Sequence, residues 1–203
     1  MKKTKHLIWL VIVIPLMFTF GFAFSPDPPN LETTYSSENN DAAEEAFDKM
    51  MQVLTHKRCV NCHPSGDRPR QGEDSHYHNF NVMRGADNHG MAALRCESCH
   101  QHENNDFSGV PGAPEWSLAP IEMQWEGLSR VEIAQSMLNP ENNGGRNLDE
   151  IVKHLTEHEL VLWAWEPGID ASGNHREKPP VSKEEYIKAV KEWAAAGAPI
   201  PEE

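Results

Sequence analysis

Cys59-Val60-Asn61-Cys62-His63 and Cys96-Glu97-Ser98-Cys99-His100 repeat one pattern, C-x-x-C-H, and together they use every cysteine in the chain. The spacing sets two thiols one helical turn apart, with a histidine directly behind the second. This is the attachment signature of a c-type haem. Each thiol forms a thioether to a vinyl group of the porphyrin, and the imidazole turns to the iron as proximal ligand. Two motifs therefore predict two covalently bound c-type haems, one held by Cys59, Cys62 and His63, the other by Cys96, Cys99 and His100. The consequence for folding is strong. Two large flat apolar bodies supply core that side chains would otherwise provide.

Three other uses of C-x-x-C weigh against this one. A shared zinc needs two such units to meet at one metal, commonly about 15–20 residues apart. Here 33 residues separate Cys62 from Cys96, and each unit carries its own histidine. Disulfides suit an exported chain, but two isolated C-x-x-C bridges staple very little loop. A thioredoxin-like centre wants a strand-rich βαβ setting, which the sequence lacks.

The N-terminus reads as an address. Lys2, Lys3 and Lys5 precede an apolar stretch from Leu7 to Phe20, and Gly21-Phe22-Ala23 offers small residues for cleavage. Residues 1–23 form a secretory signal pattern. The rival reading is an uncleaved membrane anchor, but the stretch falls short of the roughly 20 residues a span needs. Export to the periplasm is the expectation, with membrane contact only if the signal segment is retained. Cleavage lowers Lys+Arg from 18 to 15 against 31 Asp+Glu, a net charge of −16. That sign argues against a nucleic-acid partner, whose phosphates would repel it. It favours a redox partner with a basic docking patch.

Residues 24–41 are polar and proline-rich and read as a disordered linker. Residues 42–203 read as one di-haem domain. A helix is expected from Asp41, as N-cap, to His56, running into the first motif. Residues 64–90 are loop-like, and Met91 to Arg95 form a short helical lead into the second motif. Ser129 with Glu132 signals a helix to Leu138, Asn147 caps a longer helix to about Trp163, and Ser182 with Glu185 opens a last helix ending at Gly197. Strand signals are weak. The expected class is mainly α, with short helices and long loops wrapped around two covalently bound haems.

The sixth ligand of each iron has several candidates. His56 is too close to the first motif to fold over its haem. His76 and His78 lie two apart in the loop after the first motif. Met123 follows Leu118-Ala119-Pro120 and precedes Trp125, a stiffened loop with aromatic neighbours. His154 and His158 share a helix face. The expected ligands are Met123 for one iron and His78 for the other, with His154 as the leading substitute. His89, Met91 and His102 rank lower, and Met50, Met51, Met83 and Met137 read as core filler. Trp116, Trp125, Trp163, Trp165 and Trp193 suit either haem faces or core. Arg84 and Arg146 lie in glycine-flanked loops where they could pair with propionates.

From His56 to about Pro199 the chain resembles a family of exported di-haem c-type cytochromes, the cytochrome subunit associated with isoquinoline 1-oxidoreductase-like molybdenum hydroxylases. The segments carrying the resemblance are Arg95-Cys-Glu-Ser-Cys-His-Gln-His102, Gly109-Val-Pro-Gly-Ala-Pro-Glu-Trp116 with Leu118-Ala-Pro120, Met123-Gln-Trp125-Glu-Gly127-Leu128, Asn143-Gly-Gly-Arg146, and Leu160-Val-Leu-Trp-Ala-Trp-Glu-Pro-Gly168. The resemblance implies a carrier that takes electrons from a molybdenum hydroxylase oxidising an N-heterocycle or aldehyde and passes them toward a respiratory chain. The chain itself has no cysteine left for an iron–sulfur site. The expectation is an electron-transfer protein rather than an enzyme. Its rivals are a small di-haem peroxidase with one open iron and a haem-based sensor, though no effector domain is visible.

Overall fold

The computed structural model describes residues 31–202, with side chains from residue 40 onward. The expected signal segment, residues 1–23, and residues 24–30 of the expected linker lie outside the described residues. Helix α1 spans Leu31–Leu54. It starts ten residues ahead of the expected cap, so Asp41 lies inside the helix, and residues 31–41 of the expected linker are helical. Its buried side is Ala43, Ala46, Phe47, Met50, Met51 and Leu54, the spacing that lines one face of a 3.6-residue helix.

Two further helices complete the main packing. Helix α6, Lys183–Ala195, lies on α1 and turns Tyr186, Ala189, Val190 and Trp193 inward. Helix α4, Leu148–Glu157, packs on α6 through Ile151 and Leu155. Two buried indoles lock this region. Trp165 Nε1–H donates to Val181 O at 2.8 Å and Trp193 Nε1–H to Pro199 O at 2.8 Å. Trp165 and Trp193 are thus core residues with satisfied donors.

Three of the expected caps form. Ser129 with Glu132 opens α3, Arg130–Leu138; Asn147 with Glu150 opens α4; Ser182 with Glu185 opens α6; each makes both bonds of a capping box. Each such cap stabilises its helix by about 1 kcal/mol. The turn joining α3 to α4 is pinned by buried Asn143, whose amide donates to Met137 O and Arg146 O while its oxygen accepts from Arg146 N–H. That turn fixes where α4, and so His154, stands.

Two expectations about elements are corrected. The helix from Asn147 does not run to Trp163. His158 takes extended backbone, φ −71° and ψ 124°, and ends α4 while capping the short α5, Glu159–Leu162, which continues as a 3-10 turn over Trp163–Trp165. Met91 to Arg95 is not helical. It belongs to a hairpin in which β3, Gly90–Met91, pairs antiparallel with β4, Leu94–Arg95. A glycine opens it because a Cβ at Gly90 would stand 2.5 Å from Leu94 O. A second hairpin pairs β1, Arg70–Gln71, with β2, His76–Tyr77. Between the short α2, Lys57–Val60, and α3, residues 61–129 hold only these hairpins and short 3-10 turns. The architecture is mainly α with short strands and long loops, and both C-x-x-C-H motifs feed into the loops.

Candidate functional site

The first motif begins where α1 ends. Thr55 Oγ donates to Met51 O at 2.6 Å, and His56 then caps α2, its Nδ1 accepting from Arg58 N–H. The turn closes through Cys62 N–H to Cys59 O at 3.0 Å and His63 N–H to Cys59 O at 3.2 Å. Cys59 and Cys62 therefore project from a single turn, and Cys59 packs on the apolar core cluster. Burial pushes the Cys59 thiol up to about 12 and Cys62 up to about 11.

A downstream strap holds His63 in four ways. His63 Nδ1–H donates to Met123 O at 2.7 Å. Trp125 stacks on the imidazole, with ring centres 3.6 Å apart and planes 13° from parallel. The main-chain N–H groups of Trp125 and Glu126 both donate to His63 O. A carbonyl can only accept, so Nδ1 carries the proton and Nε2 keeps its lone pair. Burial lowers the His63 pKa to about 4, outweighing the opposing pull of the Met123 bond. The ring is neutral near pH 7, oriented, and free at the nitrogen a metal would take.

The second motif repeats the device on different supports. The β3–β4 hairpin leads into it, with Cys96 N–H donating to His89 O and His100 N–H to Cys96 O, both at 2.9 Å. His100 Nδ1–H donates to Pro111 O at 2.7 Å, and Trp116 stacks on the ring at 4.5 Å, 4° from parallel. Burial again lowers the histidine pKa to about 4. Trp163 meets Trp116 edge-on at 4.9 Å, and its Nε1–H donates to Asn104 Oδ1 at 2.9 Å. Asn104 Oδ1 also accepts from Gly112 N–H. Gly112 has to be glycine, since a Cβ there would stand 2.2 Å from Glu103 O. Cys99 is exposed and Cys96 half-buried. The two motifs are neighbours, because a charge on Cys96 is felt at Cys62.

The expected sixth ligands separate clearly. His78 stands beside His100, ring centres 6.0 Å apart and planes at 71°. Two imidazoles on one metal, bound through nitrogen at about 2 Å each, have ring centres about 6 Å apart. His78 Nδ1–H donates to Asn79 O at 2.8 Å, which leaves its Nε2 free. His76, by contrast, spends both ring nitrogens on Asp74 and Gln71. The Met123 carbonyl sits behind His63, on the side of the ring away from Nε2, and the Met123 sulfur is buried in the core cluster beside Ser136 Oγ at 3.8 Å. Met123 braces that histidine through its carbonyl. His154 remains. It projects from α4, half-buried, makes no hydrogen bond through its ring, and lies close enough that a charge on it depresses His63. Its ring meets His158 at 4.8 Å, and burial lowers its pKa to about 4.

The arginine expectations divide in the same way. Arg84 is buried and committed: it donates to Ala119 O, Asn88 Oδ1 and Gly66 O and faces Asp67. It ties the loop behind the first motif to the strap in front of it. Arg146 is exposed, bonds only its own turn through Nη1, and lies near enough to His154 to lower that pKa. Met50, Met51 and Met137 are buried core, as expected, and Met91 is exposed. Composition gave no sign of the two main-chain acceptors, Met123 O and Pro111 O. Each does lie a few residues before a tryptophan, and that shared order was the available signal.

The four thiols are free, and among the described residues no three His, Cys, Asp or Glu side chains converge as a metal cage. A haem iron asks less, taking two axial ligands from the protein, and the residues at both motifs fit it. No protein-family model, curated protein or solved structure matches this chain.

Proposed function

We propose that the chain is an exported electron-transfer protein holding two c-type haems, with its short helices and long loops wrapped around them. The observation that carries this reading is the repetition of one device. At each C-x-x-C-H motif a neutral histidine gives its Nδ1–H to a main-chain carbonyl, a tryptophan stacks on its ring, and its Nε2 is left free beside a pair of thiols. Such outer partners fix the tautomer and raise the basicity of the ligating nitrogen.

Cys59 and Cys62 hold one group through thioethers, and Cys96 and Cys99 hold the other. His63 and His100 are the proximal ligands. His78 closes the second iron and His154 the first. Bound haem supplies a one-electron ferric–ferrous couple at each site. The protein's part would be to offer two histidines to each iron, which would favour electron transfer over substrate binding at the metal. The sequence resemblance supports a molybdenum hydroxylase acting on an N-heterocycle or aldehyde as the donor, and the acidic charge supports a basic acceptor surface.

Mass spectrometry of the exported protein tests this, with an expected mass increase of two haems. Ferrous protein exposed to CO is expected to bind it slowly or not at all. Rapid CO binding with peroxide turnover overturns the carrier reading in favour of a small di-haem peroxidase-like enzyme, and a mass with no haem overturns it altogether.

A further inference from the structure

Surface exposure and charge are unevenly divided between the two motifs. Among the described residues five large apolar side chains are exposed, and four of them, Tyr77, Phe80, Met91 and Phe107, lie between residues 77 and 107. Each is tied by the chain to the second motif. Phe80, 85% exposed, follows His78 by two residues. Met91, 54% exposed, sits in the hairpin leading to Cys96, and Phe107, fully exposed, lies in the turn that the Asn105–Val110 bridge closes ahead of Pro111. The hairpin, the bridged turn and the segment after His78 all belong to the loops that carry or touch the second motif, and exposed apolar side chains there suit a partner contact. Aromatic residues and methionine are also what protein interfaces select.

The charges around the motifs point the same way. From residue 86 to 115 there are five carboxylates, Asp87, Glu97, Glu103, Asp106 and Glu115, and one cation, Arg95. All five acids are exposed, and Arg95 is already paired with Asp87. From residue 56 to 85 the balance reverses, with five Lys or Arg against three acids. Several of those cations are turned inward: Arg58 and Arg84 are buried, and Arg68 and Arg70 stack on the Tyr77 ring at 4.2 and 3.7 Å. The exposed thiol of Cys99 marks where attachment chemistry reaches the surface, whereas Cys59 packs on the core.

We propose that the loops around the second motif are the docking face for a basic redox protein, with Phe80, Met91 and Phe107 as apolar contacts and Glu97, Glu103 and Asp106 as the acidic fringe. This rests on the di-haem reading and adds which of the two sites meets the partner. Complementary charge of this kind steers encounter and fixes orientation, and it weakens with salt.

Calorimetric titration of the purified, haem-loaded protein with a basic single-haem cytochrome c tests it. At low salt, binding is expected, and raising the salt is expected to weaken it. The double variant E97K/D106K is expected to weaken binding by about tenfold or more, within the range that electrostatic steering spans. E141K/E184K makes the same charge change at exposed positions on the α3–α4 turn and on α6, and is expected to change it by less than about twofold. F107S is expected to weaken binding at high salt as well as low. Equal losses from the two charge variants, indifference to salt, or a chain that only self-associates through this face each overturn the proposal. Haem content measured on every variant keeps the two readings apart. A chain without haem fails the first, and a di-haem chain that binds through another face fails only this one.

Discussion

The two motifs share five-residue chemistry and differ in everything behind it. The first hangs from the end of a 24-residue helix and is braced by a strap that itself belongs to the core: Met123 and Trp125 are both in the main apolar cluster. The second hangs from a two-residue hairpin arm and is braced by Pro111 and Trp116, outside that cluster, with Trp163 as backing. On the di-haem reading, attachment chemistry would be local and portable, whereas burial and stability come from the scaffold. Burial is also one of the levers that sets haem potential, so the same pentapeptide is expected to give two unequal redox centres.

The largest expected contrast comes from deleting the thiols. C59A/C62A removes attachment where α1, α6 and the strap meet. It is expected to cost on the order of 5 kcal/mol or more, which at roughly 2–4 °C per kcal/mol for a chain of this size lowers the melting midpoint by more than about 10 °C. C96A/C99A leaves the α1–α4–α6 packing untouched. It is expected to keep most of the helical circular dichroism and one haem by mass. Similar melting losses in both variants would mean that the second site is as integral to the core as the first.

The stacked tryptophans sharpen the contrast at a smaller scale. Trp125 is 4% exposed, and Trp125→Ala is expected to cost about 3–5 kcal/mol, as buried aromatic truncations do. Trp116 is half-buried, and Trp116→Ala is expected to cost roughly half as much or less. Urea unfolding followed by circular dichroism reads both. The reverse order would show that the loops, not the core, hold the protein together.

Axial ligation separates the sites with little effect on stability. His78→Ala is expected to change the magnetic circular dichroism of one haem, and His154→Ala that of the other. The double variant is expected to open both irons to CO. If His78→Ala leaves the spectrum unchanged, the 6.0 Å pairing with His100 is a contact between rings and not a shared metal.

How much of this was legible in the sequence follows the same division. The caps at Ser129, Asn147 and Ser182 and the mainly helical class rest on short-range rules, and they read correctly. His78 lies just past β2, and its place beside His100 was not legible from alternation, which gives residues two apart the same face. The setting of Met123, after a proline and before a tryptophan, describes a brace as well as it describes a ligand. The placement of its carbonyl against His63 shows the brace. The hairpin at residues 90–95 was hidden because Met-Ala-Ala-Leu-Arg has good helix propensity, overridden by the Gly90 turn and by the pairing of Cys96 N–H with His89 O. The break at His158 was hidden for a similar reason: no proline or glycine marks it, and Glu115, distant in sequence, meets the His158 ring at 3.1 Å.

The smallest expected effect is a pH dependence confined to the first site. Glu126 follows Trp125 in the strap and accepts from Ser65 N–H and Ser65 Oγ, and it pairs with Arg70 at 2.7 Å. Partial burial pushes its pKa up, but the two Ser65 bonds and Arg70 outweigh burial and hold it below the ordinary value of 4.5. A carboxylate with a depressed folded pKa contributes stability above its unfolded value and loses that contribution as pH falls through the folded one. The strap is therefore expected to loosen below about pH 4.5, by on the order of 1 kcal/mol for this partly buried pair. Glu126→Gln is expected to lose that stability at pH 7 and to flatten this acid step. Acid titration of the near-ultraviolet tryptophan signal reads the difference. The braces of His100 and Trp116 are a carbonyl and a ring, so a step that survives Glu126→Gln would have to arise elsewhere and would break the assignment of acid sensitivity to this strap.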